Sequence, residues 1–135
     1  MTVTTLYAGL LTLWFVILSM RVIRRRGRSV SLGDGGDANL LRVIRGQANF
    51  AEYVPLALLL MALLELSRFS IYVLHGLGIV LVVARLLHGY ALSFTDHFPL
   101  GRVAGAALTF LVLLVEAILC LYQAYRAHGA WLYPG

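Results

Sequence analysis

Lysine is absent from this chain, cysteine occurs once, and six acidic residues face eleven arginines. With Cys120 alone there is no disulfide framework, and inside an apolar stretch it reads as a small packing residue. Charge of either sign is scarce. Only 13% of the 135 residues are charged and 61% are hydrophobic, against about 25% and about 45–50% in soluble domains. A soluble chain this short exposes much of its surface and needs charge to cover it, so an ordinary soluble domain is excluded. The formal charge of +5 does not indicate nucleic acid, because the arginines form no solvated basic domain with interleaved aromatics. Basic residues are also missing ahead of the first apolar run, where MTVTTLYAG carries none. A cleavable signal peptide has the opposite order, so this run reads as a retained helix.

What is present is four long apolar segments. Their lengths predict an all-α integral membrane four-helix bundle, one transmembrane domain over residues 1–135, with helices at about 5–24, 40–67, 70–93 and 102–126. Gly33-Asp34-Gly35-Gly36-Asp37 lies in a polar connector after the first segment, without the spacing of a phosphate or calcium loop. Asp37 or Asn39 is placed to cap the second helix, and Pro55 inside it is tolerated in a membrane setting. The short Ser67–Ser70 link makes the second and third helices antiparallel neighbours. Gly76, Gly78, Gly101, Gly105 and Ala106 offer small surfaces for close helix contact. Arg21, Arg24, Arg25, Arg26 and Arg28 follow the first segment and put the first connector in the cytoplasm, with both termini outside. They also predict contact with anionic membrane lipid.

The informative residues are the polar ones inside these segments. Arg42, Arg45, Asn49 and Glu52 are spaced 3, 4 and 3 apart, which at 100° per residue places them within roughly 80° of one another. Arg85 and His88 share a face of the third helix at the same expected depth, with Arg102 close by. Charged groups at depth cost a few kcal/mol or more unless they face a partner or a wet cavity. Guanidinium outnumbers carboxylate in this set, which predicts an external anion, and arginine suits bidentate binding of carboxylates. His75, His88 and His97 lack metal-ligand spacing, so no metal site is expected.

Two stretches carry a family resemblance. Leu32-Gly33-Asp34-Gly35-Gly36 followed by Ile44-Arg45-Gly46-Gln47-Ala48-Asn49-Phe50-Ala51-Glu52-Tyr53-Val54-Pro55 resembles the second-helix signature of the MAPEG family, the membrane-associated proteins in eicosanoid and glutathione metabolism. Ala84-Arg85-Leu86-Leu87-His88-Gly89-Tyr90 resembles its third-helix signature, and Pro99 falls in the expected connection. The similarity covers nearly the whole chain and is closest to the small bacterial inner-membrane branch. It implies a homotrimer with glutathione, a co-substrate, held between neighbouring subunits near the cytoplasmic face. Arg45, Asn49 and Glu52 would contact the tripeptide, Arg42, Arg85 and His88 would complete the pocket, and Arg102, or else one of the Arg21–Arg26 group, is the candidate for stabilising the thiolate. The activity implied is that of a glutathione transferase or peroxidase acting on lipophilic electrophiles that arrive through the bilayer. One departure is that Gln47 and Ala48 stand where many family enzymes carry a basic residue, and Leu92 where they carry a tyrosine.

Other polar residues have local readings. Glu116 is expected neutral or paired with a neighbouring helix, His75 hydrogen-bonded between helices, and Glu65 and Arg68 solvated at the outer interface. Tyr7, Tyr122, Tyr125, Trp131 and Tyr133 read as interfacial aromatics, and Trp14 as a packing residue. Two rival functions remain at this level. A small proton-coupled transporter would hinge on a membrane-embedded acid, and the first helix has none, leaving Glu116 or Glu52. A non-catalytic assembly subunit would bind glutathione without turnover.

Overall fold

The computed structural model describes residues 1–27, 30, 32–95 and 97–132, with backbone alone from 129 to 132. Its helices are α1 (Val3–Arg26), α2 (Ala38–Leu66), α3 (Ile71–Ser93) and α4 (Pro99–Leu132), with no strand among the described residues. Each is long and apolar enough to cross a membrane. Arg28 and Tyr133 lie outside the described residues, as does the side chain of Trp131.

Local chemistry sets the helix ends. Asp37 caps α2, its carboxylate accepting from the backbone N–H of Asn39 at 2.8 Å and of Leu40 at 3.3 Å. The helix therefore starts at Ala38, slightly earlier than expected. α4 starts at Pro99 and not near 102, because proline suits the first helical position, where an N–H would have no intrahelical partner. Pro55 sits inside a continuous α2 and removes the N–H that would bond the Ala51 carbonyl.

α2 and α3 form the middle of the bundle, and each touches both α1 and α4. Among the described residues the α1 and α4 backbones do not approach within 8 Å, and only side chains meet in the core they share. The two helices that bear the polar stripe are thus the two most enclosed. A core of Leu11, Leu18, Phe50, Val54, Ala57, Leu81 and Val112 runs between them. Large apolar side chains such as Leu13, Ile23, Leu59, Leu114 and Leu121 stay exposed, as lipid-facing residues must be.

Glycine allows close approaches between helices, as at Gly78 and Gly105. A Cβ at Gly78 would lie 2.3 Å from the Tyr7 ring, and one at Gly105 would lie 2.6 Å from the Ala84 carbonyl oxygen. Gly76 has nothing within 4 Å and makes no such contact. Tyr7 is buried rather than an interfacial anchor, because its ring fills the space beside Gly78 and its hydroxyl meets His75 Nδ1 at 3.0 Å. His75 is therefore bonded between helices, as the sequence indicated. Tyr122 and Tyr125 face outward.

Glu65 differs from its solvated reading. Its carboxylate accepts from the backbone N–H groups of Val3 at 3.0 Å and Thr4 at 2.8 Å, and the terminal ammonium lies 3.8 Å away. An acid from the end of α2 thus satisfies N–H groups that α1 leaves unbonded in its first turn.

Candidate functional site

The stripe on α2 opens into a cleft of about 230 Å³ lined by Arg45, Ala48, Asn49, Glu52, His88, Leu92 and Arg102. Residues far apart in sequence meet here because α2, α3 and the first turn of α4 converge at the end of the bundle that carries the α1–α2 connection. The Arg45 and Arg102 guanidinium groups and the Glu52 carboxylate are exposed, and none of them is ion-paired among the described residues. With two cations and one anion, the cleft wall has an excess of one positive charge.

His88 positions Arg102. Its Nδ1 lies 2.9 Å from the Arg102 carbonyl oxygen. A carbonyl only accepts, so Nδ1 carries the proton and a neutral ring presents Nε2 as an acceptor. His88 Nε2 is buried without a partner among the described residues. One turn further along α4, Gly105 packs directly against the backbone and Cβ of His88. Together these contacts fix the register of α4 so that Arg102 reaches the cleft, while its backbone is tied to α3.

Arg85 is not part of the cleft wall, although its spacing from His88 predicted it there. It is fully buried behind Asn49, to which its guanidinium donates at 2.7 Å, and it donates to Thr109 Oγ1 at 3.2 Å. The Thr109 hydroxyl donates to the Gly105 carbonyl at 2.7 Å, so its lone pair is available to the arginine. The Phe50 ring lies 5.5 Å from the guanidinium carbon, and Trp14 Nε1 donates to the Arg85 carbonyl at 3.1 Å. The physical reason for this placement is geometric. Arg85 faces the α2–α4 seam, where Asn49 and Thr109 accept its donors in the absence of a carboxylate.

This arrangement orients Asn49. Arginine has no acceptor, so the amide must turn its oxygen toward Arg85 and leave its N–H groups for the cleft. A full positive charge enclosed in the low-dielectric bundle polarises that amide and raises the positive potential at the cleft.

Arg42 is also outside this cleft. It donates to the carbonyls of Ala91 at 3.3 Å and of Thr95, joining α2 to the end of α3. It lines an adjoining groove of about 540 Å³ with Ala91, Leu92, His97, Phe98, Pro99 and Arg102. Arg102 and Leu92 border both spaces. Arg21 is likewise engaged, donating to the Ser93 carbonyl at 3.0 Å and lying 4.4 Å from the Phe94 ring centroid.

Sequence reasoning missed Thr109 and Trp14 as supports of Arg85. The available signal for Thr109 was its place four residues after Gly105 and seven before Glu116, on the face of α4 that the bundle buries. Glu116 itself is fully buried, and neither oxygen has a hydrogen-bond partner among the described residues. Among the described residues no group of three metal-ligating side chains comes together.

Comparison with known proteins agrees with this architecture. The model of the MAPEG family matches residues 4–122. The inner membrane protein YecN of Escherichia coli strain K12 is 35% identical over 121 residues, which cover 89% of this chain and 91% of that protein. The inner membrane protein YecN of Escherichia coli O6:H1 strain CFT073 is similar to the same extent.

Proposed function

The chain belongs to the MAPEG family and is an integral inner-membrane protein, and from that premise we propose that its cleft binds glutathione and activates the thiol for attack on a lipophilic electrophile. The observation that supports this most directly is the unpaired set of Arg45, Arg102 and Glu52 around one opening. Glutathione has two carboxylates and one ammonium, a net charge opposite to the excess on the wall. Arg45 and the Asn49 amide N–H groups suit a carboxylate, and Glu52 suits the ammonium.

Arg102 then serves the sulfur. A guanidinium beside a thiol favours the thiolate, which is the nucleophilic form. The thiolate forms a carbon–sulfur bond at the electrophilic carbon as the leaving group departs with the bonding electrons. Arg85 acts through Asn49 and touches neither reactant.

At about 230 Å³, the cleft is smaller than the roughly 300–1,000 Å³ of most small-molecule sites. The adjoining groove past Arg102 and a neighbouring subunit would supply the remainder. The protein in this reading is a homotrimer with the cleft on the cytoplasmic side, an orientation that the arginines after α1 support.

The test is glutathione binding to the detergent-purified protein. Arg45→Ala and Glu52→Ala should each weaken it by at least about tenfold, roughly 1.4 kcal/mol. Unchanged affinity in both variants would reject the reading. Thiolate absorbance on mixing separates activation from binding alone, the behaviour of a non-catalytic subunit. Uptake into liposomes driven by a pH gradient and lost in Glu116→Gln would favour the transporter instead.

A further inference from the structure

At the end of the bundle opposite the cleft, a groove of about 500 Å³ is lined by Ser67, Arg68, Gln123, Arg126 and Ala127. Two arginines border it, one from the α2–α3 turn and one from the last turns of α4. Neither is ion-paired among the described residues. The acid nearest in sequence, Glu65, is committed to the N-terminus of α1 through Val3, Thr4 and the terminal ammonium. Among the described residues, the groove therefore has no carboxylate of its own to offset two guanidinium groups.

The backbone under Arg68 is unusual. Its φ is 55°, the only positive value at a non-glycine residue among those described. The Arg68 N–H bonds the Glu65 carbonyl and the Phe69 N–H bonds the Leu64 carbonyl, both at 3.0 Å. These two bonds make the helix-ending motif that glycine usually occupies at this position. An arginine there bears a steric cost that glycine would avoid. The negative end of the α2 dipole offsets part of it, but that benefit does not require a second arginine across the groove.

Arg126 lies 5.8 Å from the Tyr122 ring centroid, which holds its guanidinium at the level where aromatics mark a membrane interface. Gln123 Nε2 donates to the Ser67 carbonyl at 3.3 Å. That bond ties α4 to the turn and leaves the Gln123 carbonyl oxygen as an acceptor. The groove thus combines two bidentate cationic donors with one neutral acceptor. That pattern matches a phosphate diester linked to a hydroxyl or ammonium donor.

We infer that Arg68, Arg126 and Gln123 form a second binding site, at the end of the bundle away from the cleft, for the phosphate of a phospholipid headgroup. The arginines take the phosphate oxygens and Gln123 accepts from the headgroup donor. The site is independent of any glutathione chemistry.

The experiment uses the full chain, stripped of lipid in neutral detergent. It is then titrated with phosphatidylglycerol or phosphatidylethanolamine in mixed micelles, and separately with inorganic phosphate. Bound lipid per chain and the melting temperature are read together. The wild type should take up phospholipid and melt higher, with no shift from inorganic phosphate at the same concentration. Arg68→Gln combined with Arg126→Gln should lower lipid affinity by at least about tenfold, with helicity by circular dichroism as the folding control. Arg68→Gly should melt no lower than the wild type without lipid, because the backbone is relieved, yet lose much of the lipid-induced rise. A double variant that binds lipid within about twofold of the wild type would overturn the site. An equal shift from inorganic phosphate would overturn the lipid as its source.

Discussion

The two ends of this bundle have similar ingredients in different allocations. At the cleft end, Glu52 stays in the same opening as Arg45 and Arg102, and the wall offers both signs of charge to a ligand. At the far end, Glu65 is removed from the vicinity of Arg68 by the N-terminus of α1, and the groove is left cationic. A count of the charges beside each opening, two arginines and one glutamate in both, would not separate them. What separates them is which acid has backbone donors to satisfy. A carboxylate that accepts two N–H bonds is structural, whereas one without partners is available to a zwitterion.

The comparison breaks most severely at Arg85. Arg85→Ala removes the donor that turns the Asn49 amide and leaves the Asn49 oxygen without its partner, while Thr109 keeps its bond to the Gly105 carbonyl. Leaving a buried acceptor without its donor costs about 1–3 kcal/mol. Unfolding in mixed detergent should register a loss of that size, together with weaker ligand binding at the cleft. Unaltered stability would mean the network does not organise that end.

At the far end the expected effect is smaller. Glu65→Ala leaves the Val3 and Thr4 N–H groups without their acceptor, and losing a helix cap costs about 1–2 kcal/mol. Faster amide exchange in the first turn of α1 should accompany it, with binding at the cleft unchanged. If cleft binding falls equally, the two ends are coupled and the contrast between them fails.

Glu116 sits on α4 between the two ends and sharpens the contrast by its sign. Removing polar atoms that are buried without partners should stabilise the fold, so Glu116→Met is expected to gain about 1 kcal/mol. A clear loss of stability in the same unfolding measurement would show that the carboxyl has an internal partner.

The helices were legible because hydropathy over some twenty residues is a one-dimensional property. The start of α4 was read three residues late because Pro99 opens a helix as readily as it ends a connector. Arg45, Asn49, Glu52 and His88 were legible as sharing a depth, since their spacing on each helix follows from its pitch. Arg85 was placed on the correct face, but its enclosure behind Asn49 was not legible. Its spacing from His88 says which way the side chain leaves α3, but not that Asn49 and Thr109 wait there to accept its donors. Glu65 and Tyr7 were misread for the same reason, since their partners lie some seventy positions or fewer away on another helix.

By itself, the sequence determined that this chain spans a membrane four times, that its polar residues gather on α2 and α3, and that arginine dominates them. Lipid accepts apolar side chains and rejects bare charge, so composition and helical period suffice for those conclusions. Only the tertiary structure decided which arginine is enclosed and which is free, that His88 holds the backbone beside Arg102, and that Glu65 serves a helix terminus. Hydrogen bonds act over about 3 Å, and which donor comes within that distance of which acceptor depends on how the helices pack.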